Sequence, residues 1–467
     1  MTDPATTQLP RAGSFVAVGP LRRYPRGSGI TLRARGRGPG ASRPRSAGVR
    51  QDVGVPTPPF APTARATRSV EEHRAAVADL LGPLPAEDVP IDRAQGRVLA
   101  EPVVAGVALP PFDNSAMDGY AVRAADVATA TGDGPITLPV AADIPAGCTD
   151  VPRLEPGTAH RIMTGAPLPA GADAVVQVEH TDGGTERVRV FRAPAAGTSV
   201  RRAAEDVAAG AIVLPAGTVL GAAQIGVAAA VGTATLSVRR RPTVLVLSTG
   251  SELVAPGTPL RPGQIYESNG PMLAAAVADA GGVAALLRFV PDDVAHLRRV
   301  LDEHLADRAV DLVLTSGGIS AGAYEVVKEG LTGRGVEFVK VAMQPGGPQG
   351  VGRVDGVGVV ALPGNPVSSH VSFEVFVRPV LRTALGHPHP ERPRVSAALA
   401  ASLTSTPGRR QFRRGVLDAV AGTVREVGGP PSHLLAALAR ADCFFVVPEG
   451  VTELAAGSPV EVWLLDT

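Results

Sequence analysis

Three glycine-rich segments of this chain have the residue types of an anion-binding site. Each follows a predicted buried strand and enters a predicted helix. Their candidate contacts are Ser248, Thr249, Gly250, then Ser316, Gly317, Gly318, Ser320, then Pro363, Gly364, Asn365, Pro366, Ser368. Glycine allows the backbone to approach a ligand closely, and a helix start offers unpaired N–H groups to negative charge. One such turn is common, but three together favour a site for phosphate or an oxyanion.

Carboxylates lie close to these segments in the sequence: Glu252, Glu267, Asp292, Asp293 and Glu325. Beside phosphate, carboxylates usually hold Mg²⁺, which bridges to phosphate oxygens. Helix capping is the alternative, and for Asp292 and Asp293 it explains the pattern equally well. Lys328 lies one helical turn after Glu325, so it either pairs with that carboxylate or faces the anion.

A second set of polar residues lies much earlier in the chain. It comprises Asp113, Ser115 and Asp118 in the run 110–121, Thr164 and Gly165 in the run 161–169, and Glu205 after two arginines. From the residues alone, the first run is better explained as a structured turn than as a functional site. The Arg-Arg-Ala-Ala-Glu-Asp run at 201–206 is either a ligand clamp or a set of salt bridges between domains.

Alternating strands and helices predict the sheet that positions the glycine-rich segments. The predicted strands are 243–248, 283–290, 311–315, 336–341 and 357–362, and the predicted helices are 270–281, 293–306, 323–331 and 367–385. This alternation is typical of a mostly parallel sheet with helices on both faces, whose ligands bind at the carboxyl ends of the strands. The five short strand patterns beyond residue 389 predict a small all-β unit.

The chain length of 467 residues predicts about three domains. The Arg/Pro/Gly-rich composition of residues 1–68 predicts a disordered extension, and short alternating runs predict a β domain over 102–204. An α/β domain is predicted over 239–388 and a C-terminal β domain over 389–467. A helix is predicted over 69–82, which Ser69 and Glu72 can start as a capping box.

Composition excludes several classes of protein. Residues 1–68 carry a net charge of +10 and the remainder −9, so the body of the protein offers no basic surface for nucleic acid. Disorder explains the basic extension better than nucleic-acid binding does. No apolar run is long enough to span a bilayer, and the start of the chain lacks the features of a secretory signal. Two cysteines without metal-ligand spacing favour the cytoplasm.

Eight segments together resemble one family. They read, in order, FDNSAMDGYAV, RIMTGAPLPAGADAVV, RRAAEDV, LSTGSEL, IYESN, TSGGISAG, MQPGGPQG and LPGNPVSSHVSF. This series is similar to that of the molybdopterin molybdenumtransferases, which include bacterial MoeA proteins and the E domain of gephyrin. The resemblance covers residues 69–467.

The resemblance implies a multidomain fold of the α/β plus β class. Its parts are an elongated linking domain in two pieces (69–101 and 205–238), a β domain inserted between them, an α/β molybdopterin-binding domain with a parallel-rich sheet, and a C-terminal β-barrel. It also implies a homodimer that inserts molybdate into adenylyl-molybdopterin with Mg²⁺, giving molybdenum cofactor and AMP. The molybdopterin adenylyltransferase and apo-molybdoenzymes are the further partners that it suggests.

The resemblance also assigns roles to residues of this sequence. The catalytic residues would be Asp118, Glu205, Glu325 and Lys328, and the metal ligands Glu252, Glu325 and Asp118. Asp113, Ser115, Thr164, Gly165, Pro345 and Pro348 would join the glycine-rich segments in binding the cofactor precursor. The site would lie where the α/β domain of one subunit meets the β domain of the other.

This chain departs from the family pattern at several positions. Ser251 and Glu267 stand where many relatives have Asp, Glu325 replaces the usual Asp, and lysine is missing at Gln344 and Gly347. Lost cations should weaken molybdate binding, and Lys340 or Arg353 are the candidates to replace them. The alternatives are a molybdopterin adenylyltransferase-like enzyme, a nicotinamide-nucleotide deamidase with a similar α/β domain, and a divergent non-catalytic scaffold.

Overall fold

The computed structural model describes residues 67–290, 293–306, 309–319 and 325–465. Contacts divide the chain into two units, 1–61 and 62–467. The first unit lies wholly outside the described residues. The extension predicted to be disordered, 1–68, also lies outside them as far as residue 66. Arg68 pairs with Val341 in an isolated β-bridge, so it belongs to the folded part of the second unit.

A six-stranded α/β sheet carries the predicted glycine-rich segments. Its strands, in spatial order, are Val283–Val290, Thr243–Thr249, Leu312–Ser316, Val357–Leu362, Pro348–Val354 and Val336–Lys340. The first four strands are parallel to one another, and Pro348–Val354 runs antiparallel to them. Val336–Lys340 pairs antiparallel with Pro348–Val354, so it runs in the direction of the first four. The strand Pro348–Val354 was not predicted, because it begins with proline and contains Gly350 and Gly352. A Cβ on Gly352 would lie 2.0 Å from the carbonyl oxygen of Gly335, so the hairpin requires glycine there.

Helices cover both faces of this sheet, as predicted. Their bounds are Val70–Ala78, Asn269–Asp279, Val294–Ala306, Val326–Leu331 and Pro366–Ala384, the last containing a π-helical turn at Phe373–Val377. Ser69 caps the first helix, and Glu72 completes the predicted capping box. That helix ends at Ala78 rather than Gly82. Its buried Val70 and Val77 pack into the α/β core, although the sequence grouped the helix with the linking domain.

Two pieces of chain, far apart in sequence, form the linking region. Strand Ala86–Pro90 pairs with Thr235–Arg239, and Val103–Val104 pairs with Ile212–Leu214. Helix Ala222–Ala230 packs on these strands around Leu99, Leu220 and Leu236. This small core joins the chain segments on either side of the inserted sheet.

The inserted sheet has five strands. In spatial order they are Ala174–Gln177, Gly119–Val122, Ala159–Ile162, Ile136–Ile144 and Arg187–Val190. A further pair, Asn114–Ser115 with Val200–Arg201, flanks it. Short 3₁₀ helices occur at Ile91–Arg93, Ala124–Val127 and Val178–His180.

The C-terminal strands close into a barrel. They are Arg410–Asp418, Thr423–Glu426, Arg394–Leu399, Pro459–Leu464 and Cys443–Val447, and the last of these pairs back to the first. Strands Leu403–Thr404 and Glu453–Leu454 pair beside it, and helix Leu435–Leu438 lies in one connection. The short strand Met343–Gln344, which leaves the α/β sheet, pairs with Arg410–Gln411 of the barrel. The predicted α/β plus β fold class is confirmed. Among the described residues, no helix has the length and apolarity needed to cross a bilayer.

Candidate functional site

The three glycine-rich segments meet at the carboxyl edge of the parallel strands. Gly317 and Gly318 adopt φ values of 94° and 66°, which favour glycine. A Cβ on Gly317 would lie 3.1 Å from the carbonyl oxygen of Thr249, and one on Gly364 would lie 3.3 Å from the Cα of Gly317. The loops pack so closely that side chains would push them apart.

Asn269 fixes two of these loops to the start of a helix. Its Nδ2 donates to the hydroxyl of Ser316 at 2.8 Å and to the carbonyl oxygen of Gly364 at 2.6 Å. The Ser316 hydroxyl also lies 3.3 Å from that of Ser369 on the following helix. The loop edge is therefore held by side-chain hydrogen bonds as well as by the sheet.

Glu267 is a buried anchor at the same edge. Only 1% of it is exposed. Its Oε1 accepts hydrogen bonds from the Ser248 hydroxyl at 3.0 Å and from the backbone N–H of Gly270 at 2.6 Å. This carboxylate joins the end of strand Thr243–Thr249 to the first turn of helix Asn269–Asp279, as helix-capping acids do.

A cavity of about 1140 Å³ opens over this edge. Fourteen of the predicted contact residues line it: Ser248, Thr249, Gly250, Glu252, Ser316, Gly317, Gly318, Pro345, Pro348, Pro363, Gly364, Asn365, Pro366 and Ser368. Ser320 lies outside the described residues. The structure thus brings the three segments and the 345–348 loop into one cavity, while their contacts with a ligand stay a prediction.

Two cations and part of the barrel complete the lining. Lys340 and Arg409 are exposed there, and neither side chain makes a hydrogen bond or ion pair with another described residue. Ser432 and His433 reach the cavity from a barrel connection. Of the two replacement cations considered, Lys340 is present, whereas Arg353 donates to the carbonyl oxygens of Asp79 and Gly356 elsewhere.

Three lining residues were not predicted from the sequence: Arg409, Ser432 and His433. They lie beyond the α/β domain, whose strand ends carried the glycine-rich segments. Ser432 accepts a hydrogen bond from Asn365 Nδ2 at 2.8 Å and, through its carbonyl oxygen, another from Val367 N–H at 3.1 Å. The Pro-Gly turn before strand Arg410–Asp418 was the available signal for Arg409, but nothing in the sequence places that turn beside the α/β sheet.

The proposed Mg²⁺ ligands do not form one site within this chain. Among the described residues, no group of three or more His, Cys, Asp or Glu side chains could hold a metal ion. Of the three predicted metal ligands, only Glu252 lines the cavity. Glu325 forms an ion pair with Lys328, and Asp118 accepts a hydrogen bond from Thr164. One carboxylate still fits Mg²⁺ that arrives with a phosphate, because that ion commonly keeps several waters and takes one or two carboxylates.

Asp118 and Thr164 form a separate cluster on the inserted sheet. The backbone N–H and the hydroxyl of Thr164 donate to Asp118 Oδ1 at 2.7 and 2.8 Å. These bonds, the backbone one first, hold the pKa of the Asp118 carboxyl below its usual range. The carboxylate is therefore ionised at neutral pH.

The remaining predicted residues of this region surround a second carboxylate. The Ala203 N–H and the Arg202 guanidinium donate to Asp113 and lower its pKa. Glu205 accepts from the Arg202 N–H at 3.1 Å. The Ser115 hydroxyl donates to the Met117 carbonyl oxygen, and the Gly165 N–H donates to the Ser115 carbonyl oxygen. None of the predicted residues from 113 to 205 lines the cavity of the same chain.

Three family models match this chain in succession. They are the MoeA N-terminal region (domain I and II) over residues 68–232, the probable molybdopterin binding domain over 245–383, and the MoeA C-terminal region (domain IV) over 396–465. Together they span the linking region, both large sheets and the barrel.

Curated relatives and solved structures agree with these models. The chain is 56% identical to molybdopterin molybdenumtransferase 2 of Mycobacterium tuberculosis and 42% identical to molybdopterin molybdenumtransferase 1, covering 85% of this chain and 99% of each relative. Two structures of a molybdopterin biosynthesis MoeA protein from Pyrococcus horikoshii match with TM-scores of 0.74 and 0.72 at 32% and 29% identity. The two matches cover 86% and 85% of this chain and 100% of each Pyrococcus chain. The chain belongs to the molybdopterin molybdenumtransferase family.

Proposed function

We propose that this protein inserts molybdate into adenylyl-molybdopterin and yields molybdenum cofactor and AMP. The observation that carries the proposal is the cavity in which three glycine-rich loops face two cations, Lys340 and Arg409, that form no ion pair with another described residue. The names of the curated relatives support the same reaction. We also propose a cytoplasmic location, with a molybdopterin adenylyltransferase supplying the substrate and apo-molybdoenzymes receiving the product.

The lining suits a substrate with two kinds of negative charge. Backbone N–H groups and hydroxyls of the glycine-rich loops bind the phosphoanhydride, as helix N-termini do in other phosphate sites. Lys340 and Arg409 neutralise molybdate. Mg²⁺ bound with the substrate would polarise the phosphoanhydride, and Glu252, an exposed carboxylate of the lining, would hold it. The protein acts chiefly by positioning and charge neutralisation.

A second copy of the chain would supply Asp118 and Thr164. Two of the exposed large apolar side chains flank this pair: Met117 is 38% exposed and Met163 is 41% exposed. Exposed apolar groups beside polar ones are typical of protein–protein interfaces. An ionised Asp118 also complements the cations of the cavity. We therefore propose a homodimer in which the Asp118 cluster of one subunit covers the cavity of the other.

Reconstitution tests the reaction. Wild-type protein with adenylyl-molybdopterin, Mg²⁺ and molybdate should release AMP only when molybdate is present. Asp118→Asn should fold normally and lose this release. AMP release that ignores molybdate would contradict the proposed function, and full activity of Asp118→Asn would remove that residue from the site.

Subunit mixing tests the shared site. At molybdate concentrations well below the KM of the Lys340→Met variant, that change and Asp118→Asn would each inactivate both sites of a pure dimer, but a mixed dimer would contain one site with neither change. Random exchange should therefore restore about a quarter of wild-type activity, because half of the dimers are mixed and each has one intact site. Mixtures that remain inactive, although native mass spectrometry detects mixed dimers, would contradict the arrangement.

A further inference from the structure

One wall of the cavity carries large exposed side chains, one of them aromatic. Tyr266 and Ile265 both line the cavity and are 43% and 54% exposed. Only 3% of the chain is aromatic, and most described aromatic side chains are buried. Large apolar side chains exposed at the mouth of a cavity are typical of ligand contact surfaces.

The backbone holds this wall in a fixed relation to the first glycine-rich loop. Leu253–Val254 pairs in parallel with Ile265–Tyr266. Ile265 N–H donates to the Glu252 carbonyl oxygen at 2.9 Å, and Glu267 N–H donates to that of Val254 at 2.9 Å. Tyr266 thus belongs to this strand pairing and directly precedes the buried anchor Glu267, so its backbone is positioned before a ligand binds.

We infer that the ring of Tyr266 is the surface on which a planar nitrogen heterocycle of the substrate stacks. The inference rests on the proposed function and adds to it a residue that determines specificity. The substrate has a heterocycle on each side of its phosphoanhydride, the pterin and the adenine. When the glycine-rich loops bind the phosphates, a ring must lie to one side of them, and the Tyr266 wall is joined directly to the first of those loops.

Stacking explains the residue type at this position. An aromatic face gains free energy from any planar ring and loses little side-chain entropy, since tyrosine has only two side-chain torsions. The Tyr266 hydroxyl makes no hydrogen bond with another described residue. Stacking therefore depends on the ring rather than on the hydroxyl.

Direct binding of substrate fragments tests the inference. Calorimetry would measure the affinities of AMP, of a free pterin and of inorganic diphosphate for the full-length wild type, Tyr266→Ala and Tyr266→Phe. Leu260→Ala is the matched control, because Leu260 is an exposed residue of the same connection that does not line the cavity. Tyr266→Ala should weaken one ring-containing ligand by about 5- to 150-fold. Diphosphate affinity should stay unchanged, and Tyr266→Phe should restore most of the loss.

The outcomes separate this inference from the proposed function. The ligand that responds, AMP or pterin, identifies the ring on Tyr266. If Tyr266→Ala binds both as the wild type does, or if the wild type binds diphosphate but neither ring ligand, the inference is overturned and the proposed function stands. A smaller assembly in Tyr266→Ala would also overturn it, because the ring would then be a subunit contact. Absence of diphosphate binding by the wild type would count against the proposed function itself.

Discussion

The cavity and the Asp118 cluster both present polar groups that suit a charged substrate, but they are built differently. The cavity wall contains buried polar residues, such as Glu267 and Ser248, which bond to one another. The Asp118 cluster is exposed and depends on hydrogen bonds from Thr164. The first region is preorganised within one chain, whereas the second needs another surface to exclude water. Substitutions of the buried residues in the cavity wall should therefore lower stability, whereas substitutions in the exposed Asp118 cluster should mainly affect function.

The largest expected effect distinguishes the buried anchor from the exposed acid. Glu267→Ala leaves the Ser248 hydroxyl and Gly270 N–H unpaired, and should lower the free energy of unfolding by about 2–4 kcal/mol. Asp118→Asn should change it by less than about 1 kcal/mol. Urea denaturation of both variants measures the difference. Equal losses would show that the two regions are not built differently.

The next largest effect concerns the cavity cations. Lys340→Met should weaken molybdate binding by about 10- to 150-fold, since a charged hydrogen bond contributes about 1.5–3 kcal/mol. Arg353→Met is the control, because Arg353 belongs to the next strand of the sheet and bonds outside the cavity. Calorimetric titration with molybdate gives both affinities. Equal weakening by the two changes would mean that general charge, and not position, controls binding.

A smaller effect is expected where the barrel meets the loop edge. Asn365→Ala removes the hydrogen bond to Ser432 and should cost about 0.5–1.5 kcal/mol of stability. It should also raise KM for molybdate, because Ser432 would lose its position in the cavity. Thr218→Val is the control. It removes an exposed hydrogen bond to the Pro215 carbonyl oxygen, in the linking region, and should leave KM for molybdate unchanged. If Asn365→Ala changes stability alone, the contact is structural only.

The smallest effect is a titration shift. Thr164→Val removes one of two hydrogen bonds that lower the pKa of Asp118, so that pKa should rise towards its ordinary value. Because the folded pKa is lowered, the stabilisation is present at neutral pH and is lost as the pH falls through the lowered pKa. NMR titration of the carboxyl carbon measures the change. An unchanged pKa would show that the backbone N–H of Thr164 acts alone.

Local signals were sufficient to predict much of the fold. The capping box of Ser69 and Glu72 forms, and the predicted strands 443–447 and 357–362 match the observed Cys443–Val447 and Val357–Leu362. Strand periodicity and capping depend on neighbouring residues, so sequence is enough to predict them. The strand Pro348–Val354 was missed because Gly350 and Gly352 lower its strand signal, although close contacts with the neighbouring strand of the hairpin require glycine there.

The candidate site was predictable only in part, for a similar reason. The glycine-rich segments identified one edge of the sheet, but the contribution of Arg409 depends on how the barrel packs against that edge. The pairing of Glu325 with Lys328 was one of two alternatives, and only the structure places their charges together. Tyr266 lies in the IYESN segment, but the sequence alone gave it no role, because its exposure depends on the tertiary structure.

The strand Met343–Gln344 has a consequence for how the molecule opens. It is hydrogen-bonded to the barrel at Arg410–Gln411, and the next turn is tied to helix Pro366–Ser372 through Gln349, whose Nε2 donates to Gly346 O and to Ser372 Oγ. Barrel and α/β sheet therefore share a continuous piece of backbone. The Arg410 N–H donates to the Ala342 carbonyl oxygen at this junction, so its amide proton should exchange with solvent only when the barrel separates from the α/β sheet.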